Sequence, residues 1–331
     1  MRTPVPEASR SGAATPTRGL SLERIAQAAG VIGAPFRDSP QFESEALGSQ
    51  LGCRLVVKVE TLNPIRSFKA RGAQFLMSQL TGRPHLVCAT AGNFGQGMAY
   101  AARERSLPLT VFTSVGASPM KMERMRVMGA DVRTVGNNAD DTHEAARVFA
   151  AESGALLVED GRDPAIAEGA GTIGLELLRW PETFDSVVLP LGDGALLGGV
   201  ARWIKEHSPT TRMVGVCAAG SPAMERSWRS KLPQSAPAAT IADGIAIQTP
   251  FAEAVANLVE LADDILFVED STLVGAMRLV HRELGLVLEP SGAAGIAALM
   301  AHPAQFGEKL TGTVLTGGNL TVEQMQTWLG G

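Results

Sequence analysis

Short apolar runs alternate with longer amphipathic stretches along most of the chain. Strand-like runs fall at residues 54–60, 86–90, 109–114, 131–135, 156–158, 186–191, 213–217, 265–269 and 313–316. Apolar residues recur at helical spacing in 69–80, 94–105, 118–128, 139–152, 165–179, 196–206, 251–261, 271–285 and 292–301. Brief apolar runs bounded by turns read as buried strands. Their alternation with helices predicts an α/β protein with parallel sheets covered by helices on both faces. The number of strands and a break near residues 155–165 predict two sheets in two lobes. Ser21 to Ala29 reads as a short capped helix. Residues 218–248, rich in Pro, Ser, Ala and Gly, predict a long loop over a cleft with a short helix around 222–229. Residues 1–19 show no periodicity and read as a disordered lead-in.

Composition narrows the class. A chain of 331 residues with 45% hydrophobic and 19% charged residues suits a loop-rich α/β enzyme. A net charge of −5 argues against a nucleic-acid binder. Cys53, Cys88 and Cys217 sit singly in apolar runs and read as buried thiols of a reducing compartment. The five histidines show no metal-ligand spacing, and no apolar run spans a membrane. Lacking a signal-peptide core at its start, the chain is expected in the cytoplasm.

In open parallel sheets ligands gather beyond the carboxyl ends of the strands. Small residues cluster at three such places: Thr90-Ala91-Gly92-Asn93, Gly192 to Gly199, and Thr316-Gly317-Gly318-Asn319. Gly192–Gly199 opens a helix, whose free N–H groups and dipole favour a phosphate. A tight turn needing glycine for its backbone alone is the plain alternative. The next strand ends in Ala218-Ala219-Gly220 rather than an acidic residue, which weakens a dinucleotide reading and leaves a monophosphate as the best fit. Gly169-Ala170-Gly171-Thr172-Ile173-Gly174 spells the dinucleotide fingerprint but follows a polar stretch, so close helix packing explains it better. Asn93 and Ser291 each pass as ordinary helix caps. A lysine behind a strand and turn, Lys69 in Ser67-Phe68-Lys69-Ala70-Arg71-Gly72, is well placed to point into a cleft.

Taken in order, Ser67–Ala73, Ala91–Gly97, Gly192–Gly199, Glu289-Pro290-Ser291-Gly292-Ala293 and Thr316–Asn319 closely resemble the fold-type II pyridoxal-phosphate enzymes, and most of all their threonine/serine dehydratase branch. The resemblance covers residues 35 to 325. It implies two lobes with pyridoxal 5'-phosphate in the cleft between them. The large cofactor-binding domain is expected at 20–83 and 161–331 and a small mobile domain at 84–160. Lys69 is then the lysine that binds the cofactor covalently and takes the substrate Cα proton. Gly192, Asp193, Gly194, Ala195 and Leu196 match the phosphate cup, with the Asp193 carboxylate expected to face away from the dianion. Phe68, Asn93, Glu289 and Thr316 complete the cofactor set, Asn93 at the ring hydroxyl and Thr316 at the ring nitrogen. Ser67, Thr90, Ala91, Gly92, Gln96 and Gly244 fall on substrate-binding positions.

A neutral hydroxyl at Thr316 leaves the ring a weaker electron sink, which favours β-elimination or β-replacement over transamination. Ala91, in place of a serine base, argues against racemisation. Ala219, in place of a glutamate, leaves Glu225 without a partner for a divalent metal, and none is expected. Phe94 replaces a usual histidine and opens the pocket to bulkier, even aryl-substituted, substrates. Arg66 replaces a usual glycine. With the chain ending soon after its last helix, no effector domain is expected. The expected activity is a dehydratase (ammonia-lyase) acting on a β-hydroxy-α-amino acid, working as a homodimer. β-Replacement, as in cysteine or diaminopropionate synthesis, is the nearest rival, and a non-catalytic ligand-binding relative a remote one.

Overall fold

The computed structural model describes residues 19–90 and 92–330. The expected lead-in, apart from Gly19, and Ala91 lie outside the described residues. The strands are β1 Gln41–Glu43, β2 Arg54–Val59, β3 Leu86–Ala89, β4 Leu109–Thr113, β5 Asp131–Thr134, β6 Leu156–Leu157, β7 Ser186–Pro190, β8 Arg212–Ala218, β9 Asp264–Val268 and β10 Leu310–Leu315. They form a six-stranded sheet in the order β1-β2-β10-β7-β8-β9 and a four-stranded sheet in the order β5-β4-β3-β6. Every pairing is parallel except β1 with β2. The antiparallel edge strand β1 adds to the expected parallel sheets. Gln41-Phe42-Glu43 has one apolar residue between two polar ones, too little to signal a strand.

The helices are α1 Leu22–Val31, α2 Glu45–Leu51, α3 Ala70–Ser78, α4 Asn93–Glu104, α5 Pro119–Val127, α6 Ala139–Ser153 and α7 Pro164–Leu177, then α8 Ala195–His207, α9 Ala223–Ser230, α10 Ala252–Leu261, α11 Asp270–Leu284, α12 Ala294–Ala301, α13 Pro303–Phe306 and α14 Val322–Leu329. Ser21 caps α1 by accepting from the Arg24 N–H. The unexpected α2 is short, capped by Ser44 and ended by Gly52 in the left-handed region at φ +70°.

Glycines on α7 let three helices meet at backbone distance. A methyl on Gly171 would stand 2.8 Å from the Gly199 carbonyl, one on Gly174 2.8 Å from that of Val200, and one on Gly169 2.7 Å from that of Arg71. The fingerprint-like glycines of α7 therefore serve helix packing. Arg71, two residues beyond Lys69, is fully buried. Its guanidinium donates to Glu60 and Glu176 at 2.7 Å each and to Thr172 at 3.0 Å. This network ties the start of α3 to β2 and α7 and so fixes where the preceding lysine stands.

Candidate active site

Local backbone chemistry sets the lysine loop. Asn63 accepts from the N–H groups of Ile65 and Ser67 and donates to the carbonyls of Glu60 and Ser67. Arg66 takes φ +52°, a left-handed conformation that suits the glycine it replaces. Ser67 bridges to Gly317, the Phe68 N–H donates to the Thr316 carbonyl, and the Gly318 N–H to that of Arg66. The lysine loop and the end of β10 are thus stitched together.

Lys69 precedes α3 and extends into a cavity of about 670 Å³ between the two sheets. Residues following β3, β6, β7 and β10 converge on that cavity, as strand ends do in open α/β sheets. Phe68, Lys69, Thr90, Gly92, Asn93, Gly192, Asp193, Gly194, Leu196, Gly244, Glu289 and Thr316 all line it. Ser67, Gln96 and Ala195 stand buried behind this wall.

The Lys69 ammonium lies 2.6 Å from Asp160 Oδ2 and 2.7 Å from Asp193 Oδ2. The rings of Phe68 and Phe94 flank it, with centroids at 5.1 and 6.0 Å. Burial favours neutral lysine, but the two carboxylates outweigh it and hold the amine protonated, above its ordinary range. Asp193 corrects an expectation, since its carboxylate faces the cleft and the lysine instead of turning away. Oδ1 accepts from the Ala195 N–H at 2.8 Å, at the start of α8, and Oδ2 meets the lysine. A buried ammonium and an uncapped helix N-terminus both attract an anion, which explains the direction it takes.

Opposite, the Asn93 amide donates to Glu289 and accepts from Asn319 at 2.9 Å. Asn93 is the first residue of α4, with Gly92 at the cap position, so it is not the cap it could have been. Glu289, rather than Ser291, holds the cap position of the 3₁₀ turn Pro290–Ala293. Burial raises the Glu289 carboxyl above the usual range, against the pull of Lys121 at 3.4 Å. Lys121 also meets Asp243 at 2.7 Å. The Thr90 hydroxyl accepts from the Gly92 N–H at 3.2 Å, so it closes part of its own anion cup. Glu225, which the resemblance left without a metal partner, is held by Arg229.

The site fits pyridoxal phosphate. The Ser67 and Ser291 hydroxyls, Gln96 Oε1 and Asp160 Oδ1 are buried without a hydrogen-bond partner, and such orphans mark a place for a polar ligand. Gly194, at φ +95°, caps α8 without a side chain and leaves its first turn open to a phosphate. One departure is that Asp193 occupies the Ala195 N–H.

A family model described as pyridoxal-phosphate dependent enzyme matches residues 33–317. The chain belongs to that family. It is 32% identical over 294 residues to the L-threonine ammonia-lyase of Geobacter sulfurreducens, covering 87% of this chain and 72% of that one. It is 31% identical over 297 residues to the L-threo-3-hydroxyaspartate ammonia-lyase of a Pseudomonas species, covering 88% and 93%. The solved structure of T.th. threonine deaminase superposes with a TM-score of 0.85 at 34% identity, covering 91% of this chain and 99% of that one. The protein is a fold-type II, pyridoxal-phosphate-dependent lyase.

Sequence reasoning missed Lys121, Asp160, Asp243 and the unpartnered Ser291. Asp160 carried a usable signal, because it lies just beyond β6 and the strand-end rule applies there too. Lys121 and Asp243 carried none: each is a lone charge in a polar stretch until the fold brings them together.

Proposed function

We propose that the enzyme removes water from a β-hydroxy-α-amino acid of the threonine/serine kind, bulkier or aryl-substituted ones included, and releases a 2-oxo acid and ammonia. The observation that carries the reading is one amine, Lys69, in a cavity walled by the Asn93 amide, the Thr316 hydroxyl and the glycine turn before α8. Bound at Lys69, pyridoxal phosphate supplies the electron-withdrawing ring that acidifies the substrate Cα–H. Lys69 takes that proton. Gly192, Gly194 and Leu196 would hold the phosphate through backbone N–H groups, joined by Ala195 where Asp193 gives up its N–H. Asn93, supported by Glu289, and Thr316 hold opposite ring edges, and Phe68 packs beside the ring.

Ser67, Thr90, Gly92 and Gln96, with Ala91, hold the substrate carboxylate. The orphaned Ser67 hydroxyl and Gln96 amide oxygen support this assignment. Gly244 stands where a methyl would meet the Ser291 hydroxyl at 2.8 Å, which supports a backbone role beside the substrate. We assign residues 84–160 to the small mobile domain and residues 20–83 and 161–331 to the large one. We place the enzyme in the cytoplasm as a homodimer. Among the described residues no helix is long and apolar enough to cross a membrane.

The test is 2-oxo acid release from a panel of β-hydroxy amino acids, aryl-substituted ones included, with and without sulfide or an amine. Oxo acid as sole product supports the lyase; a substituted amino acid formed with the added nucleophile supports β-replacement instead.

A further inference from the structure

We propose that Asp160 is the acid that protonates the departing β-substituent, and that Lys69 returns the proton to it. The inference rests on the dehydratase reading above. Two carboxylates face one amine here, and their surroundings are unequal. Asp193 has Lys69 on one oxygen and the Ala195 N–H, at the mouth of α8, on the other. Asp160 has Lys69 on Oδ2, while its Oδ1 is buried with no partner in the protein. Asp160 also lines the cavity that holds the lysine amine. Two like charges this close do not both stay ionised readily, and the one with fewer donors takes the proton.

The titration directions agree with that geometry. Burial and the neighbouring Asp193 charge push the Asp160 carboxyl up to about 7. Burial also works to raise Asp193, but the Lys69 ammonium and the Ala195 N–H override it and hold this carboxyl below its usual range. Near neutral pH Asp160 is therefore poised between its acid and carboxylate forms, while Asp193 stays an anion.

The step balances. Lys69 Nζ accepts the Cα proton, and the Cα–H electron pair becomes the Cα=Cβ bond. The Cβ–O pair leaves with oxygen, which takes the Asp160 proton and departs as water. Asp160, now a carboxylate 2.6 Å from the lysine, recovers the proton when the amine gives it up to bind the cofactor again, so both groups return to their starting state.

The experiment compares serine with 3-chloroalanine, whose chloride departs without a proton. Asp160→Asn is expected to lower serine turnover by about 100-fold and chloroalanine turnover by less than about threefold. Asp160→Glu, which keeps a carboxyl, is expected to recover part of the serine turnover. D160N is further expected to keep the cofactor band near ~410–420 nm and the borohydride-fixed adduct on Lys69, so a lost acid is distinguished from a lost cofactor. Equal loss on both substrates, loss on neither, or no recovery by the Glu variant overturns the role. A wild-type enzyme that yields no oxo acid from any hydroxy substrate defeats the dehydratase reading, and this role with it. Failure of the D160N comparison in an active enzyme defeats this role alone.

Discussion

Asp193, in the loop that leads into α8, forms an ion pair at 2.7 Å with Lys69, which stands at the start of α3. The carboxylate stands in a glycine run of the family pattern and spends the Ala195 N–H on itself.

Removing that carboxylate is expected to help cofactor binding. Asp193→Gly frees a helix-start N–H and takes an anion away from the phosphate position. The apparent affinity for pyridoxal phosphate should rise about tenfold, the size of a well-placed charge at a helix end. Titration of apoenzyme with cofactor, followed by absorbance, checks this. Unchanged or weaker binding means that Asp193 does not compete with the phosphate.

The Arg71 network is expected to dominate local stability. Arg71→Met leaves Glu60 and Glu176 buried with a cation missing between them, although Lys58 still meets Glu176 at 2.6 Å. The loss should be about 3–5 kcal/mol in urea unfolding, because a broken buried pair strands its partner. A change below about 1 kcal/mol would contradict a supporting role for this cluster.

Acid should unfold the protein partly through Glu176. Burial works to raise its carboxyl, but Arg71 and Lys58 hold it down at about 2. A carboxyl whose folded value lies below its unfolded value adds stability above the unfolded value and loses it as pH falls toward the folded one. Stability should therefore fall between pH 4.5 and about 2. Glu176→Gln should start less stable and lose less over that range in thermal melts. A parallel decline in both proteins would contradict the assignment.

Arg66 is exposed and sits at φ +52°. Arg66→Gly should stabilise the folded chain by about 1 kcal/mol, the left-handed penalty offset in part by the freer unfolded glycine. A lower melting temperature would show that the arginine side chain stabilises the loop in another way.

How much was legible in the chain follows from length and locality. The buried strands of both sheets announced themselves as apolar runs, and the small-residue turns behind β3, β7 and β10 line one cavity. Gln41–Glu43 and Glu45–Leu51 were too short to carry a period. Parallel or antiparallel pairing at that edge depends on where the chain turns, not on its composition. The charged residues around Lys69 were hardest. Asp160 is 91 positions away and Asp193 124 positions away, so their pairing exists only in the fold. Asp193 was expected to avoid an anion, whereas the nearby ammonium and helix start draw it inward.

The measurement closest to the central claim is borohydride reduction of cofactor-loaded enzyme, followed by peptide mass mapping. The account predicts a band near ~410–420 nm that disappears on reduction, with the pyridoxyl mass on Lys69 alone. Lys69→Ala is expected to show neither band nor turnover. A label on another lysine, or an active Lys69→Ala enzyme, would contradict it.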